Sequence, residues 1–175
     1  HTDHIMGMDD CRRFSDIRSG PLPIYANEAT MGHLRRVHAH AFHDGKHPRG
    51  YFVPEEHVFD GPFDLGDLRI IPFDLPHGDM GSTGFLFEQN GTKKLAYLTD
   101  AKSIPDNALE TVEGVKVAVL DALRPKEHWT HMSTGEALEA GEKINARYTF
   151  LTHLTHYYDH DIDQAKLPEG VQLAW

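Results

Sequence analysis

An α/β fold is what this sequence predicts, on three observations. Short apolar runs of strand length alternate with helix-like segments. Two neighbouring runs meet at Asn90-Gly91, a hairpin signal. Three runs then close on an acid or a histidine: His77, Asp100 and His153. Loops at one sheet edge gather the residues that end its strands, so this last regularity points to a site.

The elements follow in chain order. His1-Thr2-Asp3-His4, then Ile5-Met6-Gly7-Met8-Asp9-Asp10, reads as the tail of a metal-binding H-x-H-x-D-H loop on a tight turn. On that reading the loop's first histidine and the strands leading into it lie upstream of residue 1. Residues 4–16 look like a helix leaving the loop, and 21–25 like a short strand bracketed by prolines. Asn27 caps a helix over 28–40, with Met31, Leu34 and Val37 or His38 on one face. Residues 44–66, rich in Gly, Pro, Asp and His, read as loop plus an edge strand.

Beyond that point the pattern is sheet-like. Residues 68–75 form a strand running into Pro76-His77, and 83–88 and 94–99 form the hairpin around Asn90-Gly91. Residues 115–120 are a buried strand ending at Asp121. Ser133 starts a helix through Ile144, with Glu136 placed for a capping box. Residues 148–151 are a strand delivering Thr152-His153.

At 175 residues, with 39% hydrophobic and 25% charged residues, the chain reads as one domain over 1–175, incomplete at its N-terminus. No stretch reads as a signal peptide or approaches membrane-spanning length. A lone Cys11 gives no disulfide framework, which makes the cytoplasm the expected compartment. A net charge of −10 disfavours a long nucleic-acid partner, yet admits a small anionic substrate, because bound cations dominate the field of a metal site. A homodimer is compatible with all of this. Fourteen histidines are the compositional outlier. His33, His38, His40, His43, His47 and His57 carry no partnering acid pattern and are read as solvated surface.

Imidazole and carboxylate together suit zinc, with manganese where the carboxylate share rises. Two ions about 3.5–4 Å apart can clamp the attacking and leaving oxygens of a hydrolysis. H-x-D-H alone is a weak signal. Followed by Ile-x-Gly and matched by a strand-end Asp and two strand-end His residues, it is a strong one.

The whole string resembles the metallo-β-lactamase fold, an αββα sandwich. Within it, the chain is most similar to the phosphoribosyl cyclic phosphate phosphodiesterases and their relatives. The resemblance runs through His1-Thr2-Asp3-His4-Ile5, Pro23-Ile24-Tyr25-Ala26, Pro76-His77-Gly78 and Tyr97-Leu98-Thr99-Asp100. It continues through Asp121-Ala122-Leu123-Arg124-Pro125, His128-x-Thr130-His131 and Leu151-Thr152-His153-x-x-His156. It implies two divalent metal ions, zinc first and manganese as the alternative. His1 and His77 would hold one; Asp3, His4 and His153 would hold the other; Asp100 would bridge them. Asp3 and His131 would be catalytic, with His131 and His156 meeting substrate. His131 would protonate the leaving oxygen, a role that an imidazole of ordinary pKa near 6.5 can fill. His128 reads as supporting, and Asp121 as orienting its neighbouring loop, with substrate binding as the alternative.

The expected activity is hydrolysis of a small cyclic phosphodiester, phosphoribosyl or nucleotide. The rivals are a tRNA 3′-processing endonuclease, a thioester or lactone hydrolase of the same fold, and a non-catalytic binding domain. The endonuclease would need a basic substrate arm, and residues 1–175 contain no insertion rich in Lys, Arg and Gly.

Overall fold

The hairpin forms where Asn-Gly predicts it, in a computed structural model that describes residues 1–47 and 50–174. Asn90 and Gly91 both take positive φ, 51° and 70°, as the tight turn requires. The backbone clusters into two units, His1–Gly61 and Pro62–Trp175.

In the first unit the helix expected over 4–16 is broken into three pieces. Helix α1 spans Thr2–Ile5, a 3-10 helix covers Met6–Cys11, and α2 spans Arg12–Arg18, closed by Ser19 at φ 53°. Gly7 weakens a continuous helix by about 1 kcal/mol. None of the residues of α1 or of the 3-10 piece is buried, so no packed stripe restores it. The H-x-D-H segment is therefore a helical turn rather than an extended tight turn. Strand β1 (Leu22–Ala26) pairs in parallel with β2 (Pro54–Val58), where Pro54 occupies the tolerated first position. The region read as loop plus edge strand thus supplies β2, while Pro48 and Arg49 lie outside the described residues. Helix α3 (Glu28–Val37) is capped as expected, the Asn27 side chain accepting from Thr30 N–H. It stops at His38 rather than His40.

Met31, Leu34 and Ala26 form the small core of this unit, with Ile5, Met8, Ile24 and Phe42 against it. The surface reading of the six histidines needs one correction. His38 is buried and its Nε2–H donates to the Ile5 carbonyl, tying the end of α3 to α1. Two others do have acids beside them: His40 meets Asp9 at 3.2 Å, and His57 meets Glu55 at 3.1 Å.

The second unit is one seven-stranded sheet in the order β3 to β9. Strands β3 (Phe63–Leu65), β4 (Leu68–Leu75), β5 (Ser82–Gln89) and β6 (Thr92–Leu98) run antiparallel. From β6 onward, β7 (Val117–Asp121), β8 (Tyr148–Thr152) and β9 (Val171–Leu173) are parallel. Parallel neighbours need crossovers. Two of them are α4 (Asp106–Val112) and α5 (Thr134–Ile144), and α6 (His160–Gln164) leads to β9. The sequence reading missed α4, α6, β3 and β9, all of seven residues or fewer and too short to show a period. Ala108 and Val112 from α4 and Ala137, Ala140 and Ile144 from α5 share a core with Leu86, Leu98, Leu120 and Leu151 of the sheet. Small alanines on both helices let them settle close to the strands.

The predicted capping box is present. Ser133 Oγ accepts from Glu136 N–H, and the Glu136 carboxylate accepts from Ser133 N–H at 2.8 Å and pairs with Lys102. Burial alone would push the Glu136 carboxyl up, but Lys102 and Ser133 outweigh it and hold the pKa below its ordinary value. A depressed carboxylate stabilises the fold above its unfolded pKa, and that stabilisation is lost as pH falls through the folded one. Glu136→Gln should therefore cost about 0.5–1 kcal/mol near neutral pH, a range that allows for partial solvent screening. The difference from wild type should shrink as pH falls below the ordinary glutamate value of about 4.3, as read by urea unfolding across pH 3–7. A gap that stays constant with pH would show that the charge contributes nothing.

Candidate metal centre

Four strand exits of the second unit are laced together by backbone hydrogen bonds. Lys102 N–H donates to Pro76 at 2.7 Å, joining the exits of β6 and β4. Met132 N–H donates to Ala101, and Leu123 N–H to Met132. Ala122 N–H donates to Thr152, and Thr155 N–H to Leu123, which joins the exits of β7 and β8. The side chains these loops carry are held in fixed relation.

Two of the exits turn through left-handed backbone at non-glycine residues, Asp100 at φ 54° and His153 at φ 61°. Asp and His are the types that tolerate this region best, and such residues concentrate where a site over-determines the backbone. The turn brings His153 Nε2 to 3.2 Å from Asp100 Oδ1. The His131 ring stacks on His153 with centroids 4.9 Å apart and meets the His77 ring edge-on at 4.5 Å. Ligand-type atoms of Asp100, Asp121, His131 and His153 all lie within 4.8 Å of one another.

Hydrogen bonds decide the tautomers. His77 Nδ1–H donates to the Thr130 carbonyl at 2.9 Å, which places the lone pair on Nε2. A backbone carbonyl on the far nitrogen is how metal-binding histidines are usually oriented. His131 Nδ1–H donates to Asp121 Oδ2 at 2.6 Å. Asp121, wholly buried, also accepts from Ala101 N–H at 2.9 Å and Leu123 N–H at 3.1 Å. Burial pushes its carboxyl pKa up, while His131 and the Ala101 amide oppose the rise. His128 Nδ1 accepts from Thr130 N–H at 3.3 Å, and burial together with nearby His131 and Arg124 lowers its pKa. Neutral His128 thus props the loop that presents His131.

Imidazole nitrogens and buried carboxylate oxygens converging on one point suit zinc or manganese. Nearby, Thr99 Oγ1 and Thr155 Oγ1 are buried with no hydrogen-bond partner among the described residues, so polar capacity remains beside Asp100 and His153. The residues present fit a metal centre.

The expected residues fall into three groups. His77, Asp100, His131 and His153 are brought together. His156 is exposed and its ring lies 4.4 Å from Tyr157, outside the four-residue cluster. In the first unit one helical turn carries His1, Asp3 and His4, with His4 N–H donating to the His1 carbonyl and His4 Nε2 3.5 Å from Asp3. Sequence reasoning gave Asp121 a loop-orienting role and missed its grip on His131. An acid two residues before Leu123 and ten before His131 could have hinted at it. The Thr130 carbonyl that aims His77 leaves no trace in a sequence.

This strand-edge cluster on an α/β sheet defines a metallohydrolase-like scaffold. The model of the beta-lactamase superfamily domain matches residues 1–154, and the chain belongs to that family. Among solved structures it is similar to a diphosphatase from the PhnP family, at 35% identity and TM-score 0.84, covering 99% of this chain and 65% of that one. It is similar also to the metallo-beta-lactamase fold protein YhfI from Bacillus subtilis, at 21% identity and TM-score 0.76, covering 99% and 70%; at that identity only the fold is shared evidence. A curated relative, an octanoyltransferase of Porphyromonas gingivalis, is 28% identical over 160 residues, which is 90% of this chain and 31% of that protein. The chain thus spans less than a third of that curated relative and just under two thirds of the diphosphatase. The α/β expectation and the resemblance to the metallo-β-lactamase fold both hold.

Gly78 locks the exit of β4. It sits at φ 57°, and a Cβ there would stand 2.9 Å from Thr130 Cγ2 and 3.0 Å from the Trp129 ring. Gly78→Ala should destabilise the protein by about 1–3 kcal/mol, from left-handed strain plus overpacking. Urea unfolding checks it, and an unchanged midpoint would mean that the two loops yield freely.

Proposed function

We propose that this chain belongs to a cytoplasmic metal-dependent hydrolase of small phosphodiesters, with a cyclic phosphate as substrate. The observation that carries the reading is the pairing of His131 with buried Asp121, which leaves Nε2 as the nitrogen able to serve a substrate. Likeness to a diphosphatase at 35% identity supports phosphoryl chemistry over thioester or lactone hydrolysis. The net charge of −10 argues against the tRNA-processing alternative.

We propose two divalent ions, zinc first and manganese second, held by His77, Asp100 and His153 together with His1, Asp3 and His4 of the loop pattern. When bound, such ions supply Lewis acidity and lower the pKa of water. The chain's own groups do the rest. Asp100, His77 and His153 would hold the ions that attract the anionic phosphate, and backbone bonds between the loops keep those ligands rigid. Water forms the new P–O bond as the ester P–O bond breaks. His131, as imidazolium, gives its Nε2 proton to the departing alkoxide. It ends neutral with Nδ1–H still donated to Asp121, which holds the ring's orientation throughout. His156, from its exposed position, would meet the far end of the substrate.

Metal content and leaving-group dependence test this together. The full-length protein should carry about two transition-metal ions per chain, and Asp100→Ala should lower that occupancy. His131→Ala should keep its metal while losing about 10²–10⁴-fold in kcat on a cyclic phosphodiester. It should lose much less on a nitrophenyl ester, whose leaving group needs no proton. His153→Ala should lose metal and both activities. Parallel metal loss in His131→Ala would make His131 a ligand instead, and one ion per chain untouched by Asp100→Ala would end the dinuclear reading.

A further inference from the structure

Trp129 stands between His128 and Thr130-His131 in the sequence, and it is 73% exposed. Other large apolar side chains are as exposed, Met80 and Ile17 among them, so what sets Trp129 apart is its place, on a loop beside the strand-edge cluster that is organised at both ends. Arg124 donates to the Glu127 carbonyl at 2.7 Å and to that of Lys126 at 3.3 Å. His128 is fastened to Thr130, and the Thr130 carbonyl receives His77. The benzo end of the indole reaches back onto Gly78, at a position where any side chain would collide with it. The ring is therefore seated on the backbone beside His77, with most of its surface outward. His131, two residues on, faces the cluster.

We infer that Trp129 is a stacking shelf for a planar ring carried by the phosphoester substrate, so that the preferred substrate class is a nucleobase-bearing or aryl phosphodiester rather than a bare sugar phosphate. This rests on the function proposed above and narrows its substrate. The physical reason is additive. A phosphate held at the strand exits puts the rest of the molecule over the rim, and the rim residue next to both His77 and His131 is an indole. An aromatic face stacks on any base and is indifferent to its hydrogen-bonding edge, so the shelf selects for a ring without selecting which one. Loss of one such stacking partner weakens binding by about 5- to 150-fold.

Two measurements on the metal-loaded full chain test it, one of them independent of turnover. In the first, adenosine 5′-monophosphate and ribose 5-phosphate are titrated while tryptophan fluorescence is followed. The nucleotide should quench saturably in the wild type, and ribose 5-phosphate should not. Trp129→Phe should remove the quench and keep most of the affinity by calorimetry; Trp129→Ala should lose at least about 5-fold of it. In the second, kcat/KM is compared for a nucleoside 2′,3′-cyclic phosphate and a ring-free cyclic phosphate. The ratio should fall in Trp129→Ala through KM, with kcat little changed, and be largely restored in Trp129→Phe. Equal losses on both substrates, or nucleotide affinity unchanged in Trp129→Ala, would overturn the shelf. So would a wild-type dimer that dissociates in Trp129→Ala with nucleotide preference intact, since the indole would then serve a second copy of the chain. If no phosphodiester is turned over at all, the proposed hydrolysis fails while the fluorescence and calorimetry still decide the shelf.

Discussion

A buried carboxylate organises the chemical edge of the sheet. Asp121 has no exposed surface, and removing such a group from water is costly unless its lone pairs are met. They are met by donors from three separate stretches: the Ala101 amide after β6, the Leu123 amide after β7, and His131. Removing any one donor would leave the buried charge less compensated, so the three loops are correlated by an electrostatic requirement more than by shape. Asp100 and His131 inherit their positions from that requirement. Tyr158 reinforces it, its hydroxyl donating to the Ala122 carbonyl and lying 2.7 Å from Thr134 Oγ1 at the start of α5.

The division of the sheet follows its connectivity. Strands β3 to β6 are a meander joined by turns, and of these the connection from β4 to β5 carries His77 and Gly78. Strands β6 to β9 are parallel, and their exits all open on one edge. In open α/β sheets ligands bind outside the carboxyl ends of the strands. The residues concerned follow that rule, since Asp100, Asp121 and His153 close β6, β7 and β8 in turn. His77 follows β4 and joins the same edge because β4 is antiparallel to β5 and β5 to β6, which returns its exit to the side of the parallel strands.

Much of this was legible in the sequence where local chemistry decides local structure. Asn27 and Ser133 cap their helices because a side-chain oxygen placed there satisfies an amide no helix can. Asn90-Gly91 turns because both residues accept positive φ. Strand ends bearing His77, Asp100 and His153 were recognisable because apolar runs stop abruptly at a polar residue. What escaped was whatever depends on distant partners. The short helix α4 has Pro105 at its N-cap and its burial against the sheet, not a readable period, to hold it. His38 read as surface because its partner, the Ile5 carbonyl, is a backbone atom 33 residues away.

The same contrast explains why the site's orientation is less visible than its composition. Residue types that bind metal are written in the sequence, whereas the nitrogen each histidine turns outward is chosen by its other nitrogen's partner. For His77 that partner is a main-chain carbonyl; for His131 it is a carboxylate. Both acceptors take the Nδ1 proton, so both rings are held in the tautomer whose lone pair sits on Nε2, and metal-binding histidines are oriented by acceptors of either kind. Two histidines with rings 4.5 Å apart are thereby presented alike, one from a main-chain support and one from a buried side chain. What each does then follows from what else reaches its Nε2, a property of the whole strand edge and not of either residue.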